Sequence, residues 1–293
     1  MPVEVLSDVL RGLRASGSVF FCDRLEAPWS TQFSEDGQAS FHMVRAGACW
    51  LSSDGEVTER LDVGDLVFAG PARTHTLSSA HPKNGCVAND ETLLLCGYCR
   101  FDSAFAHPLL DAMPSLTILR AEQLEREPGL RSTLERLSTE YMAKGPGSDV
   151  VIDRLTEILL VELIRIDFGR GWDTMFIRAL SDKLVYGALA LLHESPETPW
   201  TLEMLAARIG LSRAAFAKRF KQRVGRTMFD YLTLLRMRKA RELLSASDAK
   251  LFEIATSVGY ASELPFMKAF KRMFGITPTQ YRKRKLPAAT TST

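Results

Sequence analysis

The sequence predicts a multidomain chain of mixed α and β class. It reads as an N-terminal β-barrel, a helical linker segment, and a C-terminal all-α domain with two helix-turn-helix units. Three observations carry that expectation. Short alternating or β-rich runs, separated by turn residues, fill the stretch from Phe20 to Phe101. Two apolar-periodic segments with helical spacing follow, Ala121–Glu140 and Asp149–Phe168. Between Thr201 and Leu286 a basic block matches itself at an offset of 50 residues. A chain of 293 residues accommodates about two domains, each with its own core.

In the barrel the runs are Ser40–Leu51, Leu66–Phe68 and Thr92–Phe101, punctuated by Ser53-Asp54-Gly55 and Gly64-Asp65. Many short strands with polar turns indicate a sandwich or barrel. The two helices that follow flank Lys144-Gly145-Pro146-Gly147. The second carries a wide apolar stripe, Val151, Leu155, Ile158, Leu159, Glu162, Leu163 and Ile166. Two readings of that stripe stay open: packing on the barrel, or a homodimer contact. Gly169-Arg170-Gly171 reads as a flexible joint, and Pro287 to Thr293 as a disordered tail of small residues. The expected boundaries are 1–120, 121–170, 176–286 and 287–293.

Composition narrows the class. With 46% hydrophobic and 25% charged residues, 19 Gly and 13 Pro, the bulk of the chain is neither disordered nor collagen-like. No apolar run reaches the ~18–20 residues that cross a bilayer. Met1 to Gly17 lacks the apolar core of a signal peptide. Five cysteines, an odd number, do not make a disulfide framework. A cytoplasmic, non-membrane protein is expected.

The formal net charge of +2 hides a division. Thr201–Leu286 holds 19 Lys and Arg against 6 Asp and Glu, which leaves 18 of the chain's 37 basic and 29 of its 35 acidic residues for the rest. A basic block on an acidic body is the electrostatic footprint of a polyanion-binding module.

The repeat gives the block its form. Eight identities share the offset: Ser212/Ser262, Phe216/Phe266, Lys218/Lys268, Phe220/Phe270, Lys221/Lys271, Gly225/Gly275, Thr227/Thr277 and Tyr231/Tyr281. In the first copy Thr201 caps a short helix carrying Leu202, Leu205, Ala206 and Ile209. Gly210-Leu211 turns the chain, Ser212 caps a second helix with Phe216 and Phe220 inward, and Gly225 ends it. The second copy repeats this with Phe252, Ile254, Ala255 and Val258, then Gly259-Tyr260-Ala261, a turn one residue longer. Ser262 caps its second helix, which buries Phe266, Phe270 and Phe274, and Pro265 falls in the first turn, where its missing N–H is harmless.

Phe229 to Ser245 lacks Gly and Pro and keeps helical spacing at Leu232, Leu235, Ala240, Leu243 and Leu244. A connecting helix rising ~1.5 Å per residue holds the units apart by the order of one duplex turn, roughly 34 Å. The outward faces are then DNA-reading faces. In the first unit the face comprises Ser212, Arg213, Ala214, Ala217, Lys218, Arg219 and Lys221. In the second it comprises Ser262, Glu263, Leu264, Met267, Lys268, Lys271 and Arg272. Lys218 and Lys268 are expected at guanine O6 and N7, and Arg219, Lys221, Lys271 and Arg272 at phosphates.

With these residues in place, 201–285 resembles the C-terminal domain of the AraC/XylS family of bacterial transcription regulators. The match lies in Thr201–Ala206, Leu211-Ser212-Arg213, Phe216, Phe220-Lys221, Gly225 and Tyr231-Leu232, and again in Glu253-Ile254-Ala255, Val258-Gly259-Tyr260, Phe266, Phe270-Lys271, Phe274-Gly275, Pro278 and Tyr281-Arg282. The resemblance implies binding to double-stranded promoter DNA, regulation of RNA polymerase (more often activation), and a homodimer. Ala214 and Ala217 depart from the larger polar readers often found there, so thymine methyl contacts or DNA shape carry more of the first unit's discrimination.

In the acidic body, Leu61-x-x-Gly64-Asp65-Leu66-Val67-x-x-x-Pro71-x-x-x-His75 resembles the second motif of cupin barrels, and Phe41-His42-x-Val44-x-x-Gly47 a degenerate first motif. With Pro28-Trp29 and Leu95-Cys96-Gly97 this is similar to the cupin-type sensor domain of one branch of the same family, which implies an effector. Catalytic cupins pair two histidines one residue apart with a glutamate; here Val44 replaces the second histidine, and no glutamate follows until Glu56. His42 and His75 read first as hydrogen-bonded barrel residues and second as a remnant site holding a metal ion at His75 with a cysteine. A redox or metal-sensing role for a pair among Cys86, Cys96 and Cys99 is the companion hypothesis, although residues three apart on a strand point to opposite faces. The expectation is a regulator without catalytic residues or a firm cofactor. The alternatives are a cupin-type metalloenzyme with a nucleic-acid-binding appendage and a non-specific architectural DNA binder.

Overall fold

The computed structural model describes residues 4–13, 15–33, 38–53, 56–71, 73–81, 83, 85, 88, 90–101, 107–111, 113, 116–170 and 175–285. The chain divides into two compact units, Arg14–Asp102 with Met113–Trp172, and Asp173–Thr293 with Met1–Leu13 and Ser103–Ala112. These are not the boundaries expected at 120 and 170. The helices of 121–170 fold with the strands, and two short stretches from within 1–120 fold with the helical C-terminal part.

Among the described residues the first unit has nine strands: β1 Ser16–Glu26, β2 Ser30–Phe33, β3 Gln38–Ala46, β4 Cys49–Ser53, β5 Glu56–Leu61, β6 Leu66–Ala69, β7 His75–Ser78, β8 Glu91–Arg100 and β9 Leu116–Leu119. They form a five-stranded sheet, β1-β8-β3-β6-β9, and a four-stranded sheet, β2-β7-β4-β5. One core lies between them, with Val44, Val67, Leu94 and Cys96 from the first sheet meeting Cys49, Leu51, Leu61 and Leu77 from the second. The Gly64-Asp65 turn is a fixed point of this unit. Gly64 takes φ +89°, a conformation that favours glycine. Buried Asp65 accepts hydrogen bonds from Arg120 Nη1 at 2.8 Å and the Ala121 N–H at 3.0 Å.

The outer face of the five-stranded sheet is covered by helices. The expected helix Ala121–Glu140 is in fact two, α3 Ala121–Leu124 and α4 Pro128–Ala143. Glu127, preceding Pro128, is held at φ −119°, ψ 72°, because a proline ring disfavours helical geometry in the residue before it. Next comes α5, Ser148–Arg170. Its residues Ile152, Leu155, Leu159, Leu160, Leu163 and Ile164 are buried as it packs on α4 and β1. At Gly17 a Cβ would sit 2.0 Å from Thr156 Cγ2, and the Gly17 N–H donates to Asp153 Oδ1 at 2.8 Å. Packing within its own unit therefore accounts for most of the α5 stripe; Ile158, with Val150 and Met142 nearby in sequence, stays exposed. Of the expected joint, Gly169 and Arg170 lie within α5, while Gly171, Cys86, the turn Asp54-Gly55 and the tail 287–293 fall outside the described residues.

The second unit is helical: α1 Val5–Leu13, α2 Pro108–Asp111, α6 Met175–Ser181, α7 Lys183–Glu194, α8 Leu202–Arg208, α9 Arg213–Val224, α10 Met228–Ala246, α11 Leu251–Ser257, α12 Glu263–Phe274 and α13 Pro278–Lys285. The spacing of Val5, Val9 and Leu13, all fully buried, places one face of α1 against α7.

A polar chain crosses this unit's interior, and its donors and acceptors balance in one direction. The Leu109 N–H donates to His107 Nδ1 at 3.1 Å, so neutral His107 carries its proton on Nε2 and donates to the Tyr231 hydroxyl at 3.3 Å. Tyr231 donates in turn to His193 Nε2 at 2.8 Å. His193 then donates from Nδ1 to the Asp8 carboxylate, which also accepts from Arg238. Both histidines must be neutral for this to close. Burial depresses the basicity of His107 strongly and that of His193 as well, the latter despite the opposing pull of Asp8. Burial pushes the Asp8 carboxyl up, but hydrogen bonds from His193 and Arg238 outweigh it and hold the pKa at about 2.

The sign of the pH dependence follows. Histidines kept neutral when folded take protons on unfolding below ~6.5, so stability falls as pH drops through that value; Asp8 adds a second loss between about 4 and 2. His42 and His75 in the other unit are depressed too, chiefly by burial. The urea midpoint of the full chain is expected to be lower at pH 5.5 than at pH 7.5. Equal midpoints would mean that these histidines are already charged in the folded protein.

Candidate functional site

The two helix-turn-helix units share the turn bond and the left-handed glycines but not every cap. In the first, the Thr201 hydroxyl accepts from the Met204 N–H at 3.2 Å, and Gly210 at φ +73° turns the chain after α8. The Leu211 N–H closes the turn on the Ala206 carbonyl at 2.9 Å. Ser212 accepts from the Ala215 N–H at 3.3 Å, capping α9. In the second, Gly259 at φ +86° plays the part of Gly210, and the Tyr260 N–H bonds the Ala255 carbonyl at 2.9 Å. Gly259 is required twice over, since a Cβ there would lie 2.4 Å from the Glu197 carbonyl oxygen. Ser262 occupies the N-cap position of α12, but its hydroxyl makes no capping bond. Gly225 and Gly275 end α9 and α12 in the left-handed conformation.

The phenylalanines pack as expected, with one exception. Phe216 and Phe220 are fully buried with ring centroids 5.5 Å apart, as are Phe266 and Phe270 at 5.9 Å. Phe274 is only half-buried, placed 4.5 Å from the Phe270 ring and 5.7 Å from the Arg241 guanidinium carbon. Both units pack on α10, whose buried residues include Tyr231, Leu232, Leu235, Ala240 and Leu244. The sequence reading missed Arg241, which is 1% exposed; nothing in its spacing along α10 marks it as the buried one among Arg236, Arg238 and Arg241.

Of the expected DNA-facing residues, Ser212, Arg213, Ala214, Lys218, Lys221, Ser262, Leu264, Lys268, Lys271 and Arg272 are exposed, while Ala217, Glu263 and Met267 are half-buried. Arg213 pairs with Glu203 at 2.9 Å on the surface. Arg219 is exposed in part but committed: its Nε donates to Asp182 Oδ2 at 2.8 Å, and Arg223 Nε lies 3.4 Å from the same oxygen. Asp182 also caps α7, accepting from the Leu184 and Val185 N–H groups. Burial works against its charge, but Arg219 and these N–H groups hold the carboxyl below its usual range. A cap before Lys183-Leu184-Val185 was readable locally, whereas its arginine partner 37 residues on was not.

In the strand unit, His42 and His75 are brought together, Nε2 to Nε2 at 2.8 Å, and both are buried. His75 Nδ1 lies 3.1 Å from the Arg73 carbonyl, which can only accept. His75 therefore carries its proton on Nδ1, and His42 Nε2 donates to His75 Nε2. Cys96 stands opposite His42 in the β3–β8 register and joins the inter-sheet core. Cys99 lies on the other face of β8, opposite Gly17. The two thiols are thus separated by the sheet. Burial pushes Cys99 to about 12 and Cys96 well above its usual range, which disfavours the thiolate that redox or metal chemistry needs.

A family model described as a helix-turn-helix domain matches residues 205–284, and one described as Cupin matches residues 4–169. An AraC-like transcription regulator of Streptomyces antibioticus is 30% identical over 97% of this chain and 100% of its own length. The chain belongs to the AraC family of transcription regulators. The HTH-type transcriptional regulator AlkR of Acinetobacter baylyi is 28% identical over 96% of this chain and all of its own length. Among solved structures, a transcriptional regulator with an AraC-type DNA-binding domain from Chromobacterium violaceum is 27% identical, covering 38% of this chain and 99% of its own, with a TM-score of 0.35.

The relatives of this AraC-family chain are named transcription regulators, which stands against the metalloenzyme alternative. Among the described residues no three His, Cys, Asp or Glu gather where they could hold one ion, so His42 and His75 do not fit the three-ligand metal site of a catalytic cupin. No described helix is long and apolar enough to cross a membrane. The ion pair at Asp182 sets Arg219 apart from its neighbour Lys218. Arg219→Ala is expected to weaken DNA binding less than Lys218→Ala in gel-shift titrations, because the Arg219 guanidinium is already occupied. A larger loss for Arg219→Ala would show that it leaves Asp182 for a phosphate.

Proposed function

We propose that this regulator reads two adjacent major-groove segments of one promoter duplex, α9 in the first and α12 in the second. The observation that carries the reading is the sameness of the two units: the same turn bond, the same left-handed glycines and the same phenylalanine pair, both seated on α10. Two units of the same build on one helix have a use on a polymer with a repeating groove. Lys218 and Lys268 face guanine edges, while Lys221, Lys271 and Arg272 face phosphates and supply salt-dependent affinity.

Bound to its promoter, the regulator acts on RNA polymerase, as an activator, under an effector sensed by the cupin domain. The effector's influence travels along the chain. The stretch 14–102 continues at one end into α1 and at the other toward His107 and α2, and Asp8 and His107 both belong to the bonded chain through Tyr231. A change at the sensor then shifts how freely α9 and α12 dock.

Lys268→Ala is expected to lose about 1–3 kcal/mol on the operator while barely changing affinity for random DNA. Equal loss on both would make Lys268 a phosphate contact. Competition with random duplex tests the reading as a whole: a regulator prefers its operator by roughly 10³-fold or more, an architectural binder does not. The protein works as a homodimer through the outward side chains Met142, Val150 and Ile158, which remain exposed on α4 and α5. Sedimentation of the full chain at micromolar concentration is expected to give a dimer that Ile158→Glu weakens. A strictly monomeric wild type would remove this part.

A further inference from the structure

The loop between α7 and α8, residues 195–201, has a shape set by its own bonds. The Thr198 N–H bonds the Ser195 carbonyl at 3.2 Å, and the Trp200 N–H bonds the Thr198 carbonyl at 2.7 Å. Buried Trp200 also donates from Nε1 to the Ser195 carbonyl at 2.9 Å. The next residue, Thr201, caps α8, so the first helix-turn-helix unit starts directly from this loop.

The loop is tied to the middle of α10. Arg236 donates from Nε to the Pro196 carbonyl at 2.7 Å and from Nη2 to the Thr198 carbonyl at 2.8 Å. Bonds from a charged donor are the stronger kind, and Arg236 is half-buried. One turn further along α10, Lys239 pairs with Glu197 at 2.9 Å on the surface.

The turn of the second unit closes on the same place. At Gly259 a Cβ would lie 2.4 Å from the Glu197 carbonyl oxygen and 2.8 Å from Arg236 Nη2. The Tyr260 ring centroid is 5.6 Å from the Arg236 guanidinium carbon, within reach of a cation–π contact. One guanidinium thus touches the loop that starts the first unit and the turn of the second. The loop that starts the second unit is held differently. Its Ala249 carbonyl accepts from Arg282 of α13 at 2.7 Å, a bond inside that unit.

This direct tie, added to the shared α10, bears on spacing. One base pair inserted between two sites on a duplex displaces the second by ~3.4 Å and turns it by about 34°. A reader with two heads rejects the wrong spacing only as firmly as its heads resist moving relative to each other. We propose that Arg236 is a positioning residue that locks the two units in one relative setting, and so fixes the separation that the regulator demands between its two read segments. It acts through the 195–201 loop and the Gly259-Tyr260 turn rather than on a base or phosphate. The proposal deepens the two-groove reading given above and rests on it.

The test uses the full-length protein and an operator that the wild type selects from random duplexes. Gel-shift affinities are measured for that operator and for versions with one base pair inserted or removed between the two segments. The wild type is expected to lose about a hundred-fold on either altered spacing. Arg236→Met, which keeps an apolar stem and removes both carbonyl bonds, should lose only about ten-fold while binding the unaltered operator nearly as well. Arg236→Lys keeps the charge without the planar fork; it is expected in between, and carries the test if Arg236→Met does not fold. An affinity loss of the same factor at every spacing, as a merely structural residue would give, overturns the proposal. So does a spacing penalty that the substitutions leave unchanged in a selective wild type, which would refute the brace and keep the two-groove reading. A wild type indifferent to spacing would refute the two-groove reading itself.

Discussion

The Tyr231 hydroxyl is the constraint on which the helical unit turns. It receives a proton from His107 and gives one to His193, so α10, α7 and the stretch leading to α2 meet at one oxygen atom. Its ring lies 6.0 Å from that of Phe220, the buried anchor of α9. The position of α9 is therefore set by the same residue that fastens the peripheral segments. In a low-dielectric interior such a chain holds only when every donor finds its acceptor. The neutral state of both histidines is what lets it close.

The second unit has no counterpart to this arrangement at the equivalent position. Tyr281 repeats Tyr231 at the offset, yet it is half-buried, meeting Phe270 edge-on and Phe274 at a tilt. The duplication preserved the turn and the phenylalanine pair, which make each unit fold. What differs is the use of the tyrosine, and the first unit is the one wired to α1 and His107.

In the strand unit the corresponding feature is a core that is apolar at one end and polar at the other. Val44, Leu94 and Leu77 close the sheets over each other, while His42 and His75 satisfy one another further along. Cys49 and Cys96 lie in the apolar part of that core. Their thiols are held protonated by burial, and Cys96 and Cys99 are kept apart by the β8 backbone that carries them.

Much was legible in the residues themselves, because it depends on local chemistry. The caps at Thr201 and Ser212, the left-handed glycines at 210, 225, 259 and 275, and the inward phenylalanines four apart follow from the conformations single residues prefer and from helical spacing. The longer turn of the second unit came from counting alone. The break at Pro128 was within reach of the same rules and was overlooked. What the fold alone decided involves partners distant in the chain: Asp182 taking Arg219, Asp8 closing a bond path 185 residues away at His193, and α1 leaving the strands to join the helices. Periodicity records which face of an element is apolar. It carries no information on which other element that face will meet, since hydrophobic burial is non-directional and only packing in three dimensions selects the partner.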